Sequence, residues 1–215
     1  MQKSEVIEQI RISGIVPVIR IESEKLAQEL IDAILKGGIR IFEVTMTVPN
    51  ALELITSLVG RLGRDAIIGA GTVLDADTAR RCIDAGSQFI VSPVLKMDVI
   101  DACHSEDRAI FPGAMTPSEI FSAWQAGADA VKVFPAAAVG GPSYIKSIKG
   151  PLPDVELMPT GGVTLATIGE YLRAGAIAAG VGGELTDVRA LKNGQTDELT
   201  RIAKEFVKEI QKARS

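Results

Sequence analysis

Four stretches of the chain repeat one junction: an amphipathic run ends, one or two small residues follow, and an apolar run rich in branched residues begins. They read LKGGIRIFEV, CIDAGSQFIV, WQAGADAVKV and LRAGAIAAGV, with glycine at Gly38, Gly86, Gly127 and Gly175. Glycine there supplies the left-handed residue on which a helix stops before a strand. The four glycines lie 48, 41 and 48 residues apart, which suits two strand–helix units per interval if each unit takes roughly twenty to twenty-five residues. At that interval a chain of 215 residues holds eight units around one core, so residues 1–215 are expected to form a single domain.

The alternation can be followed residue by residue. Strands are expected at 15–20, 39–45, 66–70, 88–92, 109–112, 130–134, 155–159 and 177–182. The segments between them carry apolar residues at three-to-four spacing, as in Leu26, Leu30, Ile31, Ile34 and Leu35. Asp75, Thr116 and Thr164 stand at N-cap positions of amphipathic stretches. Val6, Ile7 and Ile10 predict a short N-terminal helix closing one end, and Leu199, Ile202, Ala203, Phe206 and Ile210 a C-terminal helix packed on the wall. Aromatic residues are only 4% of the chain against 47% apolar, so Ile, Val, Leu and Ala must fill the core, as parallel strands prefer. The expected fold is an α/β (β/α)8 TIM barrel. An open doubly wound sheet, which also alternates strand and helix, is the alternative.

Lys and Arg number 23 against 27 Asp and Glu, with no basic run, so a nucleic-acid footprint is not expected. No apolar run suits a signal peptide or a membrane span, which points to a cytoplasmic protein. Cys82 and Cys103 fall in helical patterns and read as reduced, buried thiols. His104 is the single histidine, expected on an exposed helix face, so neither a metal cluster nor a histidine-based triad is expected.

In a closed parallel barrel the active site gathers at the C-terminal ends of the strands. The polar residues there are Arg20, Glu43 with Thr45, Thr72, Ser92, Lys132 and Thr160. In ADAVKVFPA strand alternation puts Ala130, Lys132 and Phe134 on one face, with Val131 and Val133 on the other. A lysine centred in such a run has hydrophobic neighbours on either side, and desolvation favours the free amine that attacks carbonyls. Glu43 shares a strand face with Ile39, Ile41 and Thr45. A buried carboxylate there needs a partner, and salt bridge and general base are both open to it. The pairs Gly161-Gly162 and Gly182-Gly183 follow strands seven and eight, where exposed amides bind phosphate.

VPVIR (16–20), FEVT (42–45), GAGTV (69–73), VSP (91–93), FPGAMTPSE (111–119), KVFPA (132–136) and PTGGV (159–163) together closely resemble the 2-keto-3-deoxy-6-phosphogluconate (KDPG) and 4-hydroxy-2-oxoglutarate (KHG) aldolase family. These are class I aldolases on a trimeric (β/α)8 barrel. The resemblance implies that Lys132 forms a Schiff base with a small-molecule 2-keto acid and that Glu43 is the acid/base. It places Arg20, Thr72 and Thr160 at the keto-acid end, Pro93 in the pocket wall, and Gly161, Gly162, Gly182 and Gly183 around phosphate. It implies a homotrimer and neither metal nor cofactor. Two positions depart from the pattern. Thr47 stands where many members have arginine, and Gly183 and Glu184 follow the last strand where many have serine or threonine. A carboxylate beside a phosphate dianion costs roughly a kcal/mol or more at an effective dielectric of about 20, unless Glu184 points away. The readings left open are an aldolase for an unphosphorylated keto acid, a phosphate-binding barrel isomerase or synthase, and a noncatalytic sugar-phosphate sensor.

Overall fold

The computed structural model describes residues 1–215, save the side chain of Val188. Along the chain run α1 (Lys3–Ser13), β1 (Ile15–Ile19), α2 (Glu24–Lys36), β2 (Ile41–Thr45), α3 (Ala51–Leu62), β3 (Ile67–Gly71), α4 (Ala76–Asp84), β4 (Phe89–Val91), α5 (Met97–Ser105), β5 (Ala109–Phe111), β6 (Gly113–Ala114), α6 (Pro117–Gln125), β7 (Val131–Val133), α7 (Gly141–Lys149), β8 (Leu157–Pro159), α8 (Ile168–Arg173), β9 (Ala179–Val181), α9 (Val188–Lys192) and α10 (Thr196–Arg214). Single 3-10 turns, Ala137–Val139 and Gly183–Thr186, follow β7 and β9.

The strand pairing is parallel throughout. One sheet of six strands has the order β5-β4-β3-β2-β1-β9, and a second of three has the order β6-β7-β8. Their margins meet twice. A parallel bridge sets Thr160 beside Gly180, and the Ile177 N–H donates to the Leu157 carbonyl at 3.0 Å. On the other side β5 and β6 are one stretch of chain divided at Pro112. The strand expected over 109–112 ends at Phe111, and a further two-residue strand that was not expected resumes beyond Pro112, because proline has no N–H to donate to a ladder. The Pro112 carbonyl still accepts the Lys132 N–H at 2.9 Å.

Two apolar clusters hold the strands. The inner one contains Val16, Ile41, Ile67, Phe89, Phe111, Ala130 and Met158, sealed from below by Val6 and Ile10 of α1. The outer one lies between strands and helices and contains Phe42, Val44, Val131 and Val133 with Leu30, Ile31 and Ile34 of α2. Ala130 and Val131 thus face opposite ways, as period-two alternation requires. Each fully buried Val, Leu, Ile, Phe or Met among them contributes about 1.5–3 kcal/mol by leaving water. In α10, Leu199, Ala203, Phe206 and Ile210 are buried and Ile202 is half-buried, against α2 and α8. Gly38, Gly86, Gly127 and Gly175 all take φ between 88° and 104°, the left-handed stop that the repeat predicts.

Thr164 does not cap a helix. Its carbonyl accepts from Thr167 and Ile168, and its N–H donates to the Thr167 hydroxyl at 3.0 Å, so a local turn precedes α8. Gly161-Gly162 therefore lies in an open loop rather than at a helix start.

Candidate active site

Lys132 is the central residue of β7 and Glu43 that of β2. The Lys132 side chain is 6% exposed and that of Glu43 0%, and Nζ lies 3.6 Å from Oε1. The pair faces inward on the same side as Ala130 and Ile41. Neither Glu43 oxygen has a hydrogen-bond partner among the described residues. A carboxylate held only for structure would recover its desolvation cost through several donors; this one keeps its lone pairs free beside an amine. Gly71 makes that possible. A Cβ at position 71 would stand 1.9 Å from Glu43 Oε1, so any side chain on β3 there would displace the carboxylate.

Further groups surround the pair. The Thr160 hydroxyl at the end of β8 is buried and without a partner. The Phe134 ring lies 5.4 Å from Lys132 Nζ, within cation–π range, and is partly open to solvent. Thr72 follows β3 with φ 60°, a left-handed backbone that costs a non-glycine residue of order 1–3 kcal/mol. Thr45 donates its hydroxyl to the Ile19 carbonyl at 3.1 Å and stands 2.7 Å from the Thr47 hydroxyl. Arg20 is exposed at the end of β1, and Pro93 is half-buried after β4, where the main chain of β6 approaches it closely at Gly113. Gly161 and Gly162 are left-handed, at φ 90° and 80°, as is Gly183 at 52°. Gly182 joins β9 to its 3-10 turn. Among the described residues, the N–H groups of Gly162, Val163, Gly183 and Glu184 donate to no acceptor in the chain. Glu184 itself accepts the Leu165 N–H at 3.1 Å.

A family model described as KDPG and KHG aldolase matches residues 6–202. The chain belongs to the KDPG and KHG aldolase family. It is 37% identical over 193 residues to a 2-dehydro-3-deoxy-phosphogluconate aldolase of Pseudoalteromonas atlantica, covering 90% of this chain and 89% of that one. It is 33% identical to the KHG/KDPG aldolase of Escherichia coli, over 90% of each. Among solved structures it superposes with a TM-score of 0.86 and 30% identity on the KDPG aldolase from Legionella pneumophila with pyruvate captured as a covalent carbinolamine intermediate, over 95% of this chain and 97% of that one.

Two features of this KDPG/KHG aldolase family site were missed from sequence. Phe134 was readable, since it shares the strand face of Lys132 two residues on. The need for glycine at position 71 was not, because it arises between two strands. Two clefts lie elsewhere: one of about 580 Å3 beside α1, lined by Arg40 and Arg64, and one of about 630 Å3 between Glu184 and α10. Neither holds a buried acid–base pair. His104 sits on α5 against the Gly127 carbonyl at 3.0 Å. Both cysteines are buried and free, and burial pushes each thiol up to about 12. Among the described residues no three His, Cys, Asp or Glu side chains are grouped to hold a metal, and no helix is long and apolar enough to cross a membrane.

Proposed function

We propose that this protein is a class I aldolase that cleaves a 4-hydroxy-2-keto acid to pyruvate and an aldehyde through a Schiff base on Lys132. The observation that carries the reading is the enclosed Lys132–Glu43 contact at 3.6 Å with both carboxylate oxygens otherwise unpartnered. Glu43 is placed to take the proton that Lys132 loses before its amine attacks C2. It returns the proton as the carbinolamine loses water to the iminium. The iminium accepts the electron pair of the C3–C4 bond when a base removes the C4 hydroxyl proton. Aldehyde leaves, and the enamine is protonated at C3 and hydrolysed to pyruvate, freeing Lys132.

Arg20, Thr72 and the unpartnered Thr160 hydroxyl hold the substrate carboxylate in this reading, and Pro93 and Phe134 wall the pocket. The free amides around Gly161, Gly162, Gly182 and Gly183 receive the distal end as a backbone anion nest. Its relatives are named for 2-dehydro-3-deoxy-phosphogluconate and KHG, and those substrate classes carry over here: a 2-keto-3-deoxy-6-phosphosugar acid, giving glyceraldehyde 3-phosphate, or 4-hydroxy-2-oxoglutarate, giving glyoxylate. The two sheets read as one closed (β/α)8 barrel in a single domain, with β5 and β6 sharing one stave and the Thr160–Gly180 bridge closing the other margin. We also place the enzyme in the cytoplasm as a homotrimer.

Borohydride reduction in the presence of pyruvate tests the chemistry. A stable adduct mapped to Lys132, lost in Lys132→Met, is expected; no adduct would leave the isomerase or synthase reading. An adduct without pyruvate release from any keto acid would leave the sensor.

A further inference from the structure

The segments after β8 and β9 that offer free amides at Gly162, Val163, Gly183 and Glu184 are each seated on the core, through Val163 and Leu185, but little fixes one segment relative to the other. Gly162 and Gly183 are left-handed, and a Cβ added at Gly183 would meet nothing within 4 Å. No backbone hydrogen bond joins residues 161–167 to residues 182–187. Among the described residues one side-chain hydrogen bond does, from the Leu165 N–H to Glu184 Oε2 at 3.1 Å. The carboxylate that performs it lines the outer groove with Leu165, Ala166, Arg201 and Ile202, together with Glu205 and Glu209, against α10. It is thereby turned from the mouth, where it would oppose an anion, toward the back of the loop.

We propose that Glu184 is a positioning residue: its carboxylate latches the two glycine segments at the spacing in which their amides can share one phosphate. This rests on the reading that those segments receive the phosphorylated end of the substrate. Preorganised donors bind without first paying the cost of bringing two separate segments to one spacing, so the latch acts on affinity for the phosphate and not on carbon–carbon cleavage. A glutamine at 184 can accept the same N–H through its carbonyl oxygen, whereas alanine cannot.

The test compares kcat/KM for 2-keto-3-deoxy-6-phosphogluconate with that for 2-keto-3-deoxygluconate, in the wild type, Glu184→Ala and Glu184→Gln. In Glu184→Ala the phosphorylated-to-unphosphorylated ratio is expected to fall about tenfold, through KM rather than kcat. Glu184→Gln should restore most of it. An unchanged ratio in Glu184→Ala overturns the latch. A ratio that rises in both variants also overturns it, since the charge would then act by repulsion. A wild-type ratio near one, measured before any substitution, defeats the reading of the glycine segments itself and the latch with it.

Discussion

The chemistry of this molecule depends on a few contacts shorter than a side chain is long. Glu43→Gln keeps the shape of the carboxylate and removes its basicity. It should lower kcat by about a hundredfold to ten-thousandfold while circular dichroism shows an unchanged fold. Gly71→Ala makes the complementary test, because the added methyl would stand 1.9 Å from Glu43 Oε1. Pushing the base aside by about an ångström should cost about a hundredfold in kcat/KM, as steady-state assay with an unmodified Glu43 would show. The thiols offer a negative prediction. With burial holding Cys82 and Cys103 at about 12, the folded enzyme should resist an aromatic disulfide reagent at about pH 8. Both should react once guanidinium unfolds the chain.

At the scale of the element, helix starts are set by side chains that the sequence displays. Asp75 caps α4 through the Thr78 N–H, and Thr116 and Glu119 form a reciprocal capping box at α6. Glu119 accepts the N–H groups of Met115 and Thr116 and the Thr116 hydroxyl, which hold its carboxyl below the ordinary carboxylate value. Because the folded value is the lower one, the contribution is present above the unfolded value and disappears as pH falls through the folded one. Glu119→Ala should therefore cost about 0.5–1 kcal/mol at neutral pH, and the difference from wild type should narrow in acid, as urea titrations at both pH values would show. The strand broken at Pro112 is the element-scale surprise with functional weight, since β6 resumes the run and pairs with Lys132 at Gly113.

For the whole molecule, five of the eight large apolar residues exposed among the described residues are Leu74, Val94, Met97, Met115 and Phe121. They follow β3, β4 and β6 in consecutive connections along one side. Isolated exposed apolar residues need no explanation, but several gathered on one side point to a covered face. Light scattering should return a mass three times that of the 22.7 kDa chain. Phe121→Glu should lower it, and an unaltered monomer mass in the wild type would remove the trimer.

By itself the sequence determined the strand–helix alternation, the junction glycines, the α4 and α6 caps and which residues share a strand face with Lys132. These are local matters of period and backbone conformation, and they act within a few residues of the position that shows them. Glu43 was readable as a candidate for the same reason. That its oxygens stay free 3.6 Å from Lys132, that Gly71 clears the space, and that Glu184 turns to Leu165 were decided only by the tertiary structure. Each depends on which strands become neighbours and in what register, and a one-residue slip would reverse every face. That register is set by packing summed over the whole core, and no single stretch of the chain carries it.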